Sequence, residues 1–575
     1  MNTVVNLKTR YIFLIITIAI LFTFWELPKT FFQQDEWQYF GSIIYALSSD
    51  NHFLSIILPF KGGLTHFFPL SNLFFLLEYL LFKTDFPPYA LVNITFHLIN
   101  TFLVFFLIKK ISKRTIIAFM ASLLFAVNSI SHQAVSWVAS VIGTLPSTLF
   151  ILLSLIFFVD YLEKENRFKY FLVSLFFLTV ALLLKETAVF LFVFFPLAWL
   201  IYNFSNLKIS LIGAKKPFLA LISFGVFYVF LRVFLLFFGL SSSQPEVTDV
   251  SIVPLPAYIY RLFTIPLKAV SQSIFPAKMI LGFSRRIVYL AYPQFIASDG
   301  MADPYLVESA VADLVVYGLV AIILLLFYCV FRYLVGNKEK SLTKALVFSL
   351  VFMGISSLPF VFVPGRAGYF SIFEPRNLYI LAIGSSLMLV IFSYILASLL
   401  SKKPKIVNFL TLFFLIPLLF FHIKTIQKDI KNLKVISDLR RSFLIQIQTS
   451  YPELPQKVIF YTQSDACYYG LPEEEKTLPV QSGFGRMLMI WYQEKENFPG
   501  CLYEDQFLHD LISQGYQECQ GRGFGYFRDY NQLKEALREN NLSVDDVFAF
   551  SWKGKAEEFK DVSQQIREKL QNEKI

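Results

Sequence analysis

Apolar runs of about 20 residues recur between positions 11 and 422, and nothing else in the chain restricts its fold so strongly. A run of that length spans the hydrocarbon core of a bilayer as a helix. Backbone polar groups find no water there, so each segment must satisfy its own hydrogen bonds. Only 16% of the 575 residues are charged, 56% are hydrophobic and 67 are Phe. A soluble protein carries about 25% charged residues, so these runs are not the buried helices of a soluble core. The expected fold class is an α-helical polytopic membrane protein with a small C-terminal α/β domain.

Eleven spans are expected, at 11–27, 89–108, 115–130, 141–160, 169–184, 187–203, 217–239, 309–334, 343–363, 377–400 and 406–423. The first run lacks a small-residue cleavage site and reads as a retained span. Five basic or basic-rich connections, 109–114, 163–169, 208–216, 332–344 and 402–405, share one side if the N-terminus, with Lys8 and Arg10, is cytoplasmic. The odd span count then places the tail outside, in a plasma (inner) membrane of a bacterial envelope. The net charge of +10 is explained by these loops. No basic patch interleaved with aromatics points to nucleic acid. Segment 70–82 is apolar but short and holds Glu78, which suits an interfacial helix. Segment 257–274, with Arg261, Pro266 and Lys268, suits a helix lying on the surface. Lys424, Lys428, Lys431 and Lys434 fall outside, against the rule, and only headgroup contact accounts for them.

The division expected is a membrane domain, 1–428, and a soluble tail, 429–575. Within the tail, 458–461, 525–528 and 547–551 read as strands and 531–540 as a helix. The run Gly521-Arg522-Gly523-Phe524-Gly525 lacks the strand-first setting of a dinucleotide fingerprint. Of four cysteines, Cys329 lies in an apolar span, while Cys467, Cys501 and Cys519 lie in the tail and allow one bridge. No pair has zinc-site spacing.

Chemistry-bearing residues gather in the outer segments. Asp35-Glu36, in FFQQDEWQYF, are adjacent carboxylates at the mouth of the first span. Ionisable groups at the bilayer edge are costly and mark functional sites by default. A carboxylate can take the proton of an attacking hydroxyl, so both are candidate catalytic residues. In 128–137, His132 could orient or titrate and Gln133 could bind a sugar, while Trp137 reads as a membrane-belt anchor. Lys185-Glu186 stand between two apolar runs and could pair with each other or present a cation to a lipid phosphate. Arg376 opens the tenth span with a planar fork matched to phosphate oxygens. Arg285 and Arg286 are weaker phosphate candidates. Carboxylates and cations on one face suit transfer of a sugar from a lipid phosphate. The cations offset charge on the leaving phosphate and the carboxylate activates the incoming hydroxyl.

The order of a first span, a DE pair and a long outer loop with an interfacial helix resembles the GT-C superfamily of polyprenol-phosphate-sugar-dependent glycosyltransferases. The nearest resemblance is to the protein O-mannosyltransferase-like branch. Phe68-Pro69-Leu70, with His97, Leu98 and Asn100, is similar to that group's Pro-Leu … His-Leu-Val-Asn pattern. Leu123-Leu124-Phe125-Ala126 through Ala134-Val135-Ser136-Trp137 resembles its LLFA … EAVAW stretch. Lys185-Glu186 match its Lys-Glu pair, and Arg376-Asn377-Leu378-Tyr379 its Arg-x-Leu-Tyr. The resemblance covers about residues 11–400. It implies a polyprenyl-phosphate hexose or mannose-like donor, an inverting transfer to a protein, lipid or glycan hydroxyl, Asp35 as base, and Lys185 and Arg376 beside the donor phosphate. Gln133 stands where the group has Glu and Asn128 where it often has His, which puts any metal site in doubt. No cofactor is certain, although the carboxylate pair could hold Mg²⁺ or Mn²⁺. The rival readings are a transporter or flippase of lipid-linked sugars and a non-catalytic envelope scaffold.

Overall fold

The computed structural model describes residues 9–33, 35–48, 68–164, 167–203, 207–237, 255–291, 307–362, 373–466, 476–480 and 483–573. The membrane part comprises α1 (Thr9–Phe24), α2 (Glu36–Ser48), α3 (Pro69–Phe82), α4 (Phe86–Ser112), α5 (Thr115–Ala126), the single turn α6 (Gln133–Ser136), α7 (Val138–Glu163) and α8 (Arg167–Leu184). It continues with α9 (Leu191–Asn203), α10 (Leu207–Phe237), α11 (Leu255–Gln272), α12 (Ala277–Ala291), α13 (Val307–Gly336), α14 (Lys340–Ser356) and α15 (Leu381–Leu400). Then α16 (Pro404–Ser450) leaves the bundle.

Nine helices among the described residues are long and apolar enough to cross a membrane. The expected spans at 115–130 and 169–184 coincide with the shorter apolar helices α5 and α8. The other nine coincide with the nine long ones. Helix α3 is short and apolar, and α11, with Arg261 and Lys268, is absent from the spans found. Lys268, nearly buried, pairs with Asp313 at 2.9 Å, which explains how a cation is tolerated on that face.

Helix α4 is 27 residues long, about 40 Å, and separates two ends of the bundle. At its C-terminal end the basic connections meet one another. Lys110 pairs with Asp160 at 2.5 Å, Lys113 with Glu163 at 2.6 Å and Arg114 with Glu339 at 2.8 Å. Lys344 Nζ donates to the Tyr202 carbonyl at 3.2 Å. At its N-terminal end Phe86 and Tyr89 pack on Phe32, with ring centroids 5.1 and 5.4 Å away. The segment around Asp35 therefore lies at the opposite end from the basic connections.

Helix α16 runs unbroken for 47 residues, through the position 428/429 where the polar tail begins in the sequence. A five-stranded sheet follows: β1 (Lys457–Ser464), β2 (Gly515–Cys519), β3 (Arg522–Phe527), β4 (Val547–Lys553) and β5 (Glu558–Asp561), in the order β2-β3-β1-β4-β5. The three central strands are parallel and the edges antiparallel. The helices between them are α17 (Phe484–Glu496), α18 (Asp505–Ser513) and α19 (Tyr530–Glu539), and α20 (Ser563–Asn572) follows β5. Strand side chains alternate between two faces. Val458, Phe460, Phe524, Tyr526, Phe548 and Phe550 join the core that is continuous with the membrane part. Ile459, Tyr461, Phe527, Val547 and Ala549 pack with Leu533 and Leu537 of α19 and Ile566 and Leu570 of α20. Of the glycine-rich run 521–525, Gly521, at φ +78°, lies in the tight β2–β3 connection and the rest lies in β3, a strand rather than a helix. Cys501 and Cys519 form a disulfide, Cys329 is free and exposed, and Cys467 lies outside the described residues.

Candidate functional site

Asp35 immediately precedes α2, and its carbonyl accepts the Gln38 and Tyr39 amides at 3.1 and 3.2 Å. Aromatic packing fixes this segment. Phe32 lies 5.5 Å from the Trp37 ring and 5.0 Å from Phe40, and all three are fully buried. The helix N-terminus carries a partial positive charge, which favours ionised carboxylates there.

The two carboxylates meet different surroundings. Asp35 is exposed and Glu36 is wholly buried. Glu36 Oε1 accepts the Ala139 amide of α7 at 3.3 Å. Next to it, Gln33 Nε2 donates to the Ser136 carbonyl at 3.1 Å. The acidic motif is thus stitched to segment 131–139, about a hundred residues further along the chain. The pair therefore divides into one exposed carboxylate and one buried carboxylate with a backbone donor. Among the described residues no group of three or more His, Cys, Asp or Glu side chains could hold a metal ion.

The same segment gathers the other candidates. Asn128 Oδ1 accepts the Ile130 and Ser131 amides at 2.9 and 3.3 Å, so this side chain shapes the turn after α5. His132 Nε2 lies 3.2 Å from Asp429 Oδ2 of α16, and Lys278 Nζ of α12 reaches the other oxygen at 3.1 Å. Gln133 opens the α6 turn and is half-buried. Trp137 is only 5% exposed, so it is not the belt anchor expected from sequence. The Arg376 guanidinium stacks 4.4 Å over its ring, and Arg376 Nε donates to Glu374 Oε2 at 2.6 Å. The Trp137 Nε1 has no hydrogen-bond partner among the described residues.

Helix α7 kinks at Ile142 and Gly143, and Gly143 takes φ +92°. A Cβ there would stand 2.6 Å from the Leu184 carbonyl and 2.9 Å from Ser71 Oγ, so only glycine allows α3, α7 and the end of α8 to meet. Ser71 Oγ donates to that carbonyl at 2.6 Å. The kink presents Thr144 to Lys185, whose Nζ donates to Thr144 Oγ1 at 2.6 Å. Glu186 opens a short 3₁₀ turn, Glu186–Phe190. Segment 137–144 thus touches Glu36, Arg376 and Lys185.

Arg376 is held in place by buried polar contacts. Tyr379, in the following turn, meets His97 Nδ1 at 2.7 Å, and His97 Nε2 meets the Ala126 carbonyl at 2.9 Å. Asn100 Nδ2 donates to the Leu145 carbonyl at 3.0 Å. These motif residues are fully or almost fully buried, so they pin α4, α5, α7 and α15 together. Arg285 and Arg286 are exposed on α12.

Sequence reasoning did not single out Gln38, Thr144, Asp429, Arg440 or Arg486. Each acts through a partner far away in the chain. Arg440 Nη1 donates to the Gln33 carbonyl at 2.8 Å, and Arg486 Nη1 donates to Gln38 Oε1.

No curated protein matches the chain significantly. Two solved structures of the Archaeoglobus fulgidus oligosaccharyltransferase are similar, each at 12% identity and TM-score 0.37. One is tethered to an acceptor peptide and the other, AglB, is in complex with an inhibitory peptide and a dolichol-phosphate. They cover 79% and 80% of this chain, which spans 62% and 63% of theirs. At that TM-score the likeness carries no structural argument. The family model of dolichyl-phosphate-mannose-protein mannosyltransferase matches residues 68–233. That stretch holds His97, the 131–144 segment and Lys185.

Proposed function

We propose that the protein moves a hexose or mannose-like sugar from a polyprenyl-phosphate donor to a hydroxyl acceptor on the extracytoplasmic face, with Asp35 as general base. The observation that carries this reading is the exposed Asp35 carboxylate at the start of α2, tied through Glu36 to the 137–144 segment that also anchors Arg376 and Lys185. The acceptor hydroxyl gives its proton to Asp35 as its oxygen attacks the anomeric carbon. The bond from that carbon to the phosphate oxygen breaks, and its electron pair leaves with the phosphate. Arg376 and Lys185 offset the charge that builds there. A single displacement of this kind inverts the anomeric configuration. His132 and Gln133 line the same corner as sugar or acceptor contacts.

Two observations support this placement. Basic connections meet at one end, as the positive-inside rule expects of a cytoplasmic face. The Cys501–Cys519 disulfide belongs to the part beyond the other end, and such bonds persist in oxidising compartments. The acceptor is a protein, lipid or glycan hydroxyl, and the membrane is the plasma (inner) membrane, with the N-terminus cytoplasmic and residues 429–575 outside.

The test is release of polyprenyl phosphate from a panel of polyprenyl-phosphate sugars by the detergent-solubilised full chain and by Asp35→Asn. Loss of a general base costs about 10²–10⁴-fold, so the variant should fold normally and lose turnover by that factor. Near-normal release by Asp35→Asn would remove the base from Asp35. No release by the folded wild type with acceptors supplied would favour a transporter or scaffold.

A further inference from the structure

The C-terminal domain does not hang from the membrane part. It docks on α2, the helix that begins with the acidic pair. Gln38, one turn into α2, is gripped from both sides. Its Nε2 donates to Asp505 Oδ1 of α18 at 2.6 Å, and its Oε1 accepts from Arg486 of α17. The backbones approach closely enough that a Cβ on Gly41 would stand 2.6 Å from Leu508 Cδ1. At the end of α2, a Cβ on Gly500 would overlap Ser48 Oγ.

Arg486 is the unusual member of this interface. It is 3% exposed, and its Nε is buried with no hydrogen-bond partner among the described residues. A buried guanidinium is costly to desolvate and persists where opposite charge repays it. Burial pulls Arg486 down from its ordinary value to about 10, while the carboxylates of Asp35 and Asp505 pull it back up. Such coupling is reciprocal. A cation stabilised by the Asp35 charge stabilises that charge in turn. The other charged groups at this corner are Glu36 on α2, and Arg440 and Arg441 on α16, which reach the Gln33 carbonyl and the Phe31 ring.

We propose that Arg486 is a positioning residue for Asp35, so that the C-terminal domain completes the reaction site by holding the first turn of α2 and keeping the Asp35 carboxylate ionised and in place. The proposal deepens the transferase reading and rests on it for its catalytic meaning, but the coupling of Arg486 to Asp35, by way of Gln38 in the first turn of α2, is a separate physical claim.

Two readouts on the full chain in detergent separate them. The first is carbodiimide modification of Asp35 as a function of pH, read by peptide mass spectrometry, which reports the protonated carboxyl without turnover. Arg486→Gln should move its midpoint up by roughly 0.5–1 pH unit, and Arg486→Lys should leave it near wild type. Asp505→Asn, which keeps an oxygen acceptor for Gln38, should move it down. The second is the pH profile of polyprenyl-phosphate release. Its acid limb should move up in Arg486→Gln, with plateau turnover about tenfold lower, and Arg486→Lys should restore the limb. Should Arg486→Gln fail to fold, the Asp505→Asn shift carries the test. A labelling midpoint unmoved in every folded variant overturns the proposal. A midpoint that moves as expected in a protein with no turnover upholds the coupling and sinks the transferase reading instead.

Discussion

The two ends of the membrane bundle handle charge in different ways. At the end of the basic connections, charge answers charge: Lys110 with Asp160, Lys113 with Glu163 and Arg114 with Glu339. At the end of the acidic motif, neutral groups hold charge alongside the His132–Asp429–Lys278 contacts. Glu36 takes a backbone amide, Lys185 a threonine hydroxyl and Arg376 a tryptophan face together with the Glu374 carboxylate. A side chain neutralised by its neighbour has little left to offer a substrate. The first arrangement fixes a topology, and the second suits recognition of a lipid phosphate.

That contrast can be broken at either end. The largest effect after Asp35→Asn is expected for Arg376→Ala. Losing hydrogen bonds to a charged group costs about 1.5–3 kcal/mol, or roughly 10–100-fold in kcat/KM for the donor. Arg376→Lys should recover only part of it, because it keeps the charge and loses the fork. Equal kcat/KM for wild type and Arg376→Ala would remove Arg376 from the donor site. Next comes Glu36→Ala, which leaves the Ala139 amide buried without its acceptor and should lower stability by about 1–3 kcal/mol in a thermal melt. Glu36→Gln keeps an acceptor and should lie nearer wild type. If the two melt alike, the Glu36–Ala139 contact has no structural weight. The smallest effect is expected at the other end. Lys113→Ala removes a pair whose lysine is 54% exposed and should cost less than about 1 kcal/mol, with turnover unchanged. A tenfold loss of turnover there would erase the distinction between the ends.

The spans were legible because hydrophobicity is a local property of sequence. Even so, the helix at the expected span 115–130 ends at Ala126, since composition does not say where a helix stops, while the one at 169–184 runs Arg167–Leu184. In the tail, β1, β3 and β4 were legible as apolar runs. The edge strands β2 and β5, GYQEC and EFKD, were not, because each carries polar side chains and pairs on one side only. The acidic pair stood out in sequence as a pair. The difference between its members did not, because it depends on Ala139. Trp137 looked like an interfacial anchor until Arg376, far along the chain, was seen to cover it. Arg486 carries no local signal, since its partner Gln38 lies 448 positions away.

Helix α16 changes what the bilayer can do to this protein. Its 33 residues beyond Pro417 reach about 50 Å, so a tilt of about 5° there would sweep Ser450 through roughly 4 Å. Two ties oppose such a swing: Gln427 Nε2 donates to the Phe22 carbonyl at 3.1 Å, and Arg440 holds the Gln33 carbonyl two residues before Asp35. The helix acts as a mast stayed against the first span and the acidic motif. Membrane thickness then becomes a setting of the instrument, to be read as turnover in vesicles of short-chain and long-chain lipids. Equal rates in both would mean that the stays hold.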